Sequence, residues 1–447
     1  MALPRLAPEN VNNESRPIMQ GTLGLHSRDA GASPYNRVDG QEHWVGTWAA
    51  SAQGPFYDHA RRLVGLGQFD NLTVRQIVRT SIGGNRLRVR FSNTAGVQPL
   101  AIGTAHIGLR SFGAGVIPDS GRMLTCEGCP SLLVQPGGIV LSDPVDLKVP
   151  PLADLAVSIY SPSGLAGTAH VLGLQTTYIS AHGDFADSEI LPAARTIASW
   201  LGLSGIDLLS HKSTSAVVAF GDCTVDGANS TAEAYRRWPD VLARRLIAAG
   251  HNVAVLNSGI MGNRVLHDGP APYGPIFGRK ALSRFDQDVL AQPGVKYVIV
   301  ALGGADIIQP GSSAPMSEDV TVKALIAGFQ QLIAHAHDAG LRVFGCTIGP
   351  IEGAAQPGFR NMYSPVKEAK RQNLNEWIRT GGAFDGTLDF DEILRDPEHP
   401  TRLYSVFDDG DHIHLNDAGH QALGESVPLS LFQLENSAAA RVESSLF

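Results

Sequence analysis

Residues 213–227 read STSAVVAFGDCTVDG. Ala216–Phe220 is an unbroken apolar run of strand length, and Gly221-Asp222 closes it with turn chemistry. A strand without a polar face is buried on both sides, as strands of parallel sheets are. Runs of the same kind recur at Asn252–Asn257, Lys296–Leu302 and Arg342–Thr347, and a weaker fifth is expected within Ala383–Phe390. Helical signals fill the gaps. One helix opens after Trp238 with Pro239, where a missing N–H costs nothing, and ends at Gly250. Leu325, Ile326, Phe329, Leu332, Ile333 and Ala336 mark one face of a second helix, between Val322 and Gly340. Leu374, Trp377 and Ile378 belong to a third, and a last helix starts near Asn416. Strands alternating with helices predict a doubly wound α/β domain over residues 214–435.

Upstream the rhythm differs. In the stretch Asn71–Asn93, Leu87, Val89 and Phe91 alternate with Arg86, Arg88 and Arg90, a period of two. The run Thr73–Ile82 reaches it through Gly83-Gly84-Asn85, which reads as a hairpin. Short runs follow at Leu132–Val134, Ile139–Leu141 and Leu155–Ile159, with Gly and Pro between them and no amphipathic helix. Residues 41–200 are therefore expected to form an all-β sandwich. The arginine row reads as the solvated side of a sheet, a face for an acidic ligand being the alternative. Residues 1–40 read as a poorly ordered arm and 436–447 as a tail.

Length and composition agree with two domains: 447 residues, 43% hydrophobic and 17% charged, with glycine at 49 positions for many tight loops. A net charge of −8 argues against electrostatic nucleic-acid binding. No apolar stretch is long enough to span a membrane, and the first twenty residues carry no apolar secretory core. The expectation is a cytoplasmic protein, or a secreted one if the chain is a processed form. In the latter case the sequons at Asn71 and Asn229 become relevant. Of the four cysteines, Cys126 and Cys129 form a lone CxxC, poor evidence for zinc or redox chemistry and best read as loop cysteines. No phosphate loop, dinucleotide fingerprint or metal cluster is visible, so no cofactor is implied.

Ligands of an open parallel sheet bind beyond the carboxyl ends of its strands, where the strand-to-helix loops emerge. The first such loop carries Cys223, the second Gly259-Ile260-Met261-Gly262-Asn263, the third Gly303-Gly304-Ala305-Asp306, and a late one Asp411-His412-Ile413-His414. Cys223, His414 and Asp411 supply a nucleophile, a base and a carboxylate to orient it, the parts needed for acyl transfer. Backbone N–H groups of Cys223 and the glycine-rich second loop are candidates to hold an oxyanion. Singly, each piece has a structural reading: a buried cysteine, a chance DxxH with His412 as rival, a glycine turn. Asp222 and Asp226 are read as braces of the loop, and Asn263, Arg264 and Asp268 as pocket-lining residues.

These blocks together resemble the SGNH (GDSL-type) esterase and lipase family. AVVAFGDCTVDG, followed by RRWPDVLARRL, is similar to the family's first block, usually FGDSITDG. VLNSGIMGNRVLHDG resembles the second, ALGGADII the third and GDHIHLNDAGH the fifth. WVGTWAAS, VRQIVRTSIGGNRLRVRFSN and LGLQTTYIS resemble a subgroup with a β-sandwich ahead of the catalytic domain. The resemblance implies a flavodoxin-like doubly wound domain, with the nucleophile at Cys223, where serine is usual. It also implies a glycine oxyanion donor at Gly262, a base at His414 and its carboxylate at Asp411. The family's oxyanion asparagine falls on Ala305.

Serine to cysteine keeps a nucleophile, whereas loss of an oxyanion donor typically costs about 10²–10³ in rate, roughly 3–4 kcal/mol. Three outcomes follow from that pattern. The first is acyl transfer through a thioester on Cys223, to water, an alcohol or an amine. The second is non-hydrolytic chemistry such as cyclisation, isomerisation or elimination, with His414–Asp411 as general base. The third is a binding homologue without catalysis. A small-molecule substrate is expected in the first two.

Overall fold

The computed structural model describes residues 20–21, 40–54, 70–165 and 167–432. The expected tail at 436–447 lies outside them, as does the expected N-terminal arm apart from residues 20, 21 and 40. The α/β region holds a five-stranded, all-parallel sheet: β1 (Ser215–Gly221), β2 (Val253–Gly259), β3 (Val295–Ala301), β4 (Arg342–Cys346) and β5 (Gly386–Leu388), in spatial order 2-1-3-4-5. That order is one of the two common doubly wound arrangements.

Every residue of β1 is buried. Val217 and Ala219 pack with Trp238, Leu242 and Leu246 on one side of the sheet. Ala216, Val218 and Phe220 pack toward Leu325, Phe329 and Leu332 on the other. The helices Trp238–Ala248, Val322–Asp338, Pro365–Thr380 and Asp417–Ser426 stand where their apolar spacing and caps place them. At the carboxyl edge, Gly221 pairs with Gly259 on one side and Ala301 on the other, so three loops leave the sheet at one level. Gly221 is required there: a Cβ would stand 2.5 Å from the Ala301 carbonyl oxygen and 2.2 Å from Val225.

The N-terminal region is built on two large antiparallel sheets over a common core, with two smaller sheets beside them. One, in order, contains Val145–Val149, Gly84–Ser92, Leu203–His211 and Glu42–Ala49, with Ile139–Leu141 also on Gly84–Ser92. The other contains Ala193–Ile197, Thr177–His182, Leu72–Arg79, Asp154–Ser161, Thr104–Leu109 and Arg122–Leu124. Three expectations need correction. Leu203–His211 pairs with both Glu42–Ala49 and Gly84–Ser92, so the β sheets extend past residue 200. Leu72–Arg79 and Gly84–Ser92 do not form a hairpin; they belong to opposite sheets. Between them the chain crosses over, held by Thr47, whose Oγ1 accepts from the Ile82 amide at 3.1 Å. Nor is the arginine row simply solvated. Arg88 and Arg90 lie 3.0 and 3.3 Å from the buried Asp207, and Arg90 donates to Gln292 of the α/β region at 2.7 Å.

The two regions share one core. Glu42–Ala49 passes so close to β2 that a Cβ on Gly46 would stand 2.9 Å from Leu256, and the Gly46 amide donates to the Pro293 carbonyl at 2.9 Å. The Val255 amide, on the edge strand β2, donates to Ser81 Oγ at 3.1 Å. The sandwich therefore covers the sheet edge that would otherwise expose unpaired backbone groups. Cys126 and Cys129 form the stem of a tight turn, exchanging two backbone hydrogen bonds of 2.9 Å, with both thiols free. Burial, with Asp143, Glu127 and Cys129 nearby, pushes the Cys126 thiol up to about 12.

Candidate active site

Cys223 is the first residue of a one-turn helix, Cys223–Asp226, and Asp222 caps it by accepting from the Thr224 amide at 3.1 Å. Burial raises the Asp222 carboxyl to about 6, against the pull of that cap and of His414. Neither the Cys223 nor the Gly262 amide donates to another described residue. Gly262 sits at φ 70°, a conformation that glycine reaches without strain.

His414 is 8% exposed. The Asp411-to-His414 loop folds back on itself: Asp411 Oδ1 accepts from the Ile413 and His414 amides, at 3.1 and 2.8 Å, and His414 Nδ1 lies 2.6 Å from Asp411 Oδ2. With Nδ1 donating to the carboxylate, Nε2 is the nitrogen left for Cys223, the tautomer a general base needs. Cys223 borders the same cavity as His414, and its neighbourhood, like that of Asp411, favours the imidazolium. Burial disfavours the imidazolium, but Cys223 and Asp411 outweigh it and raise His414 to about 10. Asp411 moves the other way. Burial alone would raise it, yet its bonds to His414 and the Gln356 amide hold it well below the usual carboxylate range.

Cys223, Gly262, Ala305 and His414 line a single cavity of about 300 Å³. Much of its wall is apolar and aromatic. Tyr273 stacks on Phe277 with ring centroids 5.5 Å apart and meets Phe359 edge-on at 5.2 Å. The wall offers an apolar group a dry surface next to the thiol. No helix among the described residues is long and apolar enough to cross a membrane.

Asn263, Arg264 and Asp268, expected to line the pocket, do not. Asn263 is fully buried behind it, donating to the Phe277 and Arg279 carbonyls at 2.8 and 2.7 Å, and accepting from Arg284. Arg264 pairs with Glu318 at 2.7 Å, and Asp268 Oδ1 accepts from the Lys280 amide at 2.8 Å. Asp226 does brace a loop: its Oδ2 accepts from the Met261 amide at 2.8 Å. His412 is directed to Asp408, away from the dyad.

Some participants carry no sequence signal. Gln356 donates to Asp411 at 3.2 Å from a glycine-rich loop without periodicity. Arg284 is buried and reaches the Gly221 carbonyl at 2.8 Å, the Ser258 carbonyl at 2.8 Å and Asp288 at 2.8 Å, tying the ends of β1 and β2 together. Asp306 accepts from the Val265 and Leu266 amides, and burial raises its carboxyl to about 7. The residue following Ala305 thus holds the glycine-rich second loop.

Residues 219–422 match the GDSL-like Lipase/Acylhydrolase family. Among solved structures, the chain is similar to the native aryl esterase of M. smegmatis at 17% identity and TM-score 0.37, covering 52% of this chain and 99% of that one. The lipase/acylhydrolase from Enterococcus faecalis is similar at 18% identity and TM-score 0.35, covering 48% of this chain and 93% of that one. An acetyl xylan esterase from Geobacillus stearothermophilus is similar at 20% identity and TM-score 0.35, covering 48% of this chain and 94% of that one. No curated protein matches the chain.

Proposed function

Residues 219–422 being a domain of the GDSL-like lipase/acylhydrolase family, we propose that the protein transfers an apolar acyl group from an ester or thioester through a covalent intermediate on Cys223. The observation that supports this reading is that His414, bonded to Asp411, borders the same largely apolar cavity as Cys223. With the proton already on His414, the Cys223 sulfur attacks the acyl carbon as a thiolate and a C–S bond forms. The tetrahedral oxyanion is held by the Cys223 and Gly262 amides. On collapse the leaving alkoxide or thiolate takes the proton from His414, which then draws a proton from water, an alcohol or an amine as that acceptor cleaves the thioester. Asp411 keeps the ring oriented and its cation stable throughout.

With Ala305 in place of a side-chain donor, oxyanion stabilisation falls to the backbone alone. A thioester or activated ester needs that help less than an amide does. The same feature favours one other reading, non-hydrolytic chemistry in which His414–Asp411 moves protons and Cys223 is passive. Intact-mass measurement after incubation with p-nitrophenyl butyrate separates the two. Acyl transfer requires an adduct that disappears in Cys223→Ala. Turnover of a substrate lost in His414→Ala but retained in Cys223→Ala would assign the other chemistry.

A further inference from the structure

Gln309 follows the short helix Gly304–Ile308, and its amide N–H donates to the Ala305 carbonyl at 3.1 Å. It therefore stands one turn beyond Ala305, on the same helical face. Its side chain is 5% exposed and borders the same cavity as Cys223, Gly262 and His414. Nε2 donates to the Gly262 carbonyl at 2.6 Å. The opposite assignment of the amide would set two acceptor oxygens against each other, so the donor is fixed by chemistry.

Gly262 lies in a turn closed by the Asn263 amide, which donates to the Ile260 carbonyl at 3.1 Å. It lies at φ 70°, and its own N–H is unpaired among the described residues. Its neighbours are anchored: Met261 by Asp226, and Asn263 by the 277–279 backbone. The Gly262 N–H belongs to the Met261–Gly262 peptide and its carbonyl to the next, so the Gln309 bond fixes the second plane and, through the two dihedrals of Gly262, narrows the orientations open to the first. Of the two side-chain amides that border the cavity, Gln356 is committed to Asp411. Gln309 is the one held against the oxyanion side.

Resting on the acyl-transfer reading above, we infer that Gln309 is a positioning residue of the oxyanion site, holding the Gly262 peptide so that its N–H does the work left by the missing donor at Ala305. A site with a direct side-chain donor tolerates a loosely held glycine amide. A site with backbone donors only does not. The dependence on Gln309 is accordingly tied to Ala305, and the two positions are coupled.

The test is the rate at which p-nitrophenyl butyrate acylates Cys223, followed by p-nitrophenol release and by intact mass, in four forms: parent, Gln309→Met, Ala305→Asn and the double variant. Methionine keeps length and volume and removes the donor. The expected result is a fall of roughly tenfold or more in the maximal acylation rate of Gln309→Met, with little change in the half-saturating ester concentration. In the Ala305→Asn background the same change should cost less than about threefold. Gln309→Glu, which keeps the shape without donating as a carboxylate, should behave as Gln309→Met does. Equal rates in parent and Gln309→Met overturn the inference. So does an equal loss in both backgrounds, or a loss that follows a fall in melting temperature, since that is simple packing damage. A parent chain that forms no adduct overturns the acyl-transfer reading and this inference with it; an adduct unaffected by Gln309→Met overturns the inference alone.

Discussion

At Cys223 and Ala305 two substitutions of unequal weight meet in one cavity. On the acyl-transfer reading the thiol keeps a nucleophile, whereas alanine leaves the oxyanion to backbone amides alone. Restoring both, Cys223→Ser with Ala305→Asn, should raise hydrolysis of p-nitrophenyl acetate at least roughly tenfold over the parent. Absence of any rise would mean that the cavity has diverged beyond these positions. The imidazole offers a second check. Burial disfavours the His414 cation, but Cys223 and Asp411 outweigh it and raise His414 to about 10. A histidine raised in the folded state stabilises fully below its unfolded value near 6.5, and the contribution declines as pH rises toward about 10. The depressed Asp411 works in the opposite sense, stabilising above the ordinary carboxylate range and losing that effect in acid. NMR titration of the His414 ring should therefore give a lower pKa in Cys223→Ala than in the parent. An unchanged titration would place the sulfur out of the ring's reach. That Cys223 and His414 come to one cavity was legible, because loops at the carboxyl edge of a parallel sheet are forced together, whatever their distance in sequence. Gln309 and Gln356 were not, because an amide in a loop carries no period and becomes meaningful only when its partner is known.

Elements divide in the same way. Strands with no polar residue and helices with a clear face were readable, since burial on two sides or one leaves a direct pattern. The false hairpin shows where that reasoning stops. Gly83-Gly84-Asn85 supplies turn chemistry, but whether flanking strands pair or part depends on what lies across from them. Here a Cβ on Gly83 would meet the Val149 carbonyl oxygen at 2.6 Å, so the glycine serves the close approach of the chain to the neighbouring strand Val145–Val149 as it enters the sheet. The arginine row failed for a related reason: Asp207 sits far along the chain, and alternation alone does not reveal a buried partner. The last helix was predicted from Asn416, and its cap does more than begin a helix. The Asn416 side chain accepts from the Ala418 and Gly419 amides and donates to the Val406 and Asp408 carbonyls at 3.0 and 3.1 Å. It closes both ends of the loop that presents Asp411 and His414. Asn416→Ala should cost about 1–2 kcal/mol in urea unfolding, with the slope of the transition unchanged, and should slow acylation as the loop relaxes. Stability lost with full acylation retained would show that the loop holds its own shape.

For the molecule as a whole, the sandwich reaches the back of the catalytic loops through His170. The ring is 4% exposed, with Nδ1 2.9 Å from the Ser51 carbonyl and Nε2 2.9 Å from Asp226 Oδ1. Both partners are acceptors, so both contacts are hydrogen bonds only when both ring nitrogens carry hydrogen or Asp226 itself donates one. The other oxygen of Asp226 takes the Met261 amide, next to Gly262, and Asp226 ends the helix that Cys223 begins. One carboxylate thus joins the sandwich, the nucleophile helix and the oxyanion loop. In His170→Ala, Asp226 Oδ1 is left buried without a hydrogen-bond partner, a change that costs roughly 1–3 kcal/mol. The loss should appear in a single unfolding transition, because one face of the α/β sheet and the sandwich share a continuous core. Acylation of Cys223 should fall more than binding of the ester does, since the cavity wall stays while the donors drift. His170→Gln, which can still donate to Asp226, should recover part of the rate. Two separate melting transitions in the parent, or a His170→Ala variant that acylates at the parent rate, would make the sandwich a passenger and leave the α/β region to organise its own site.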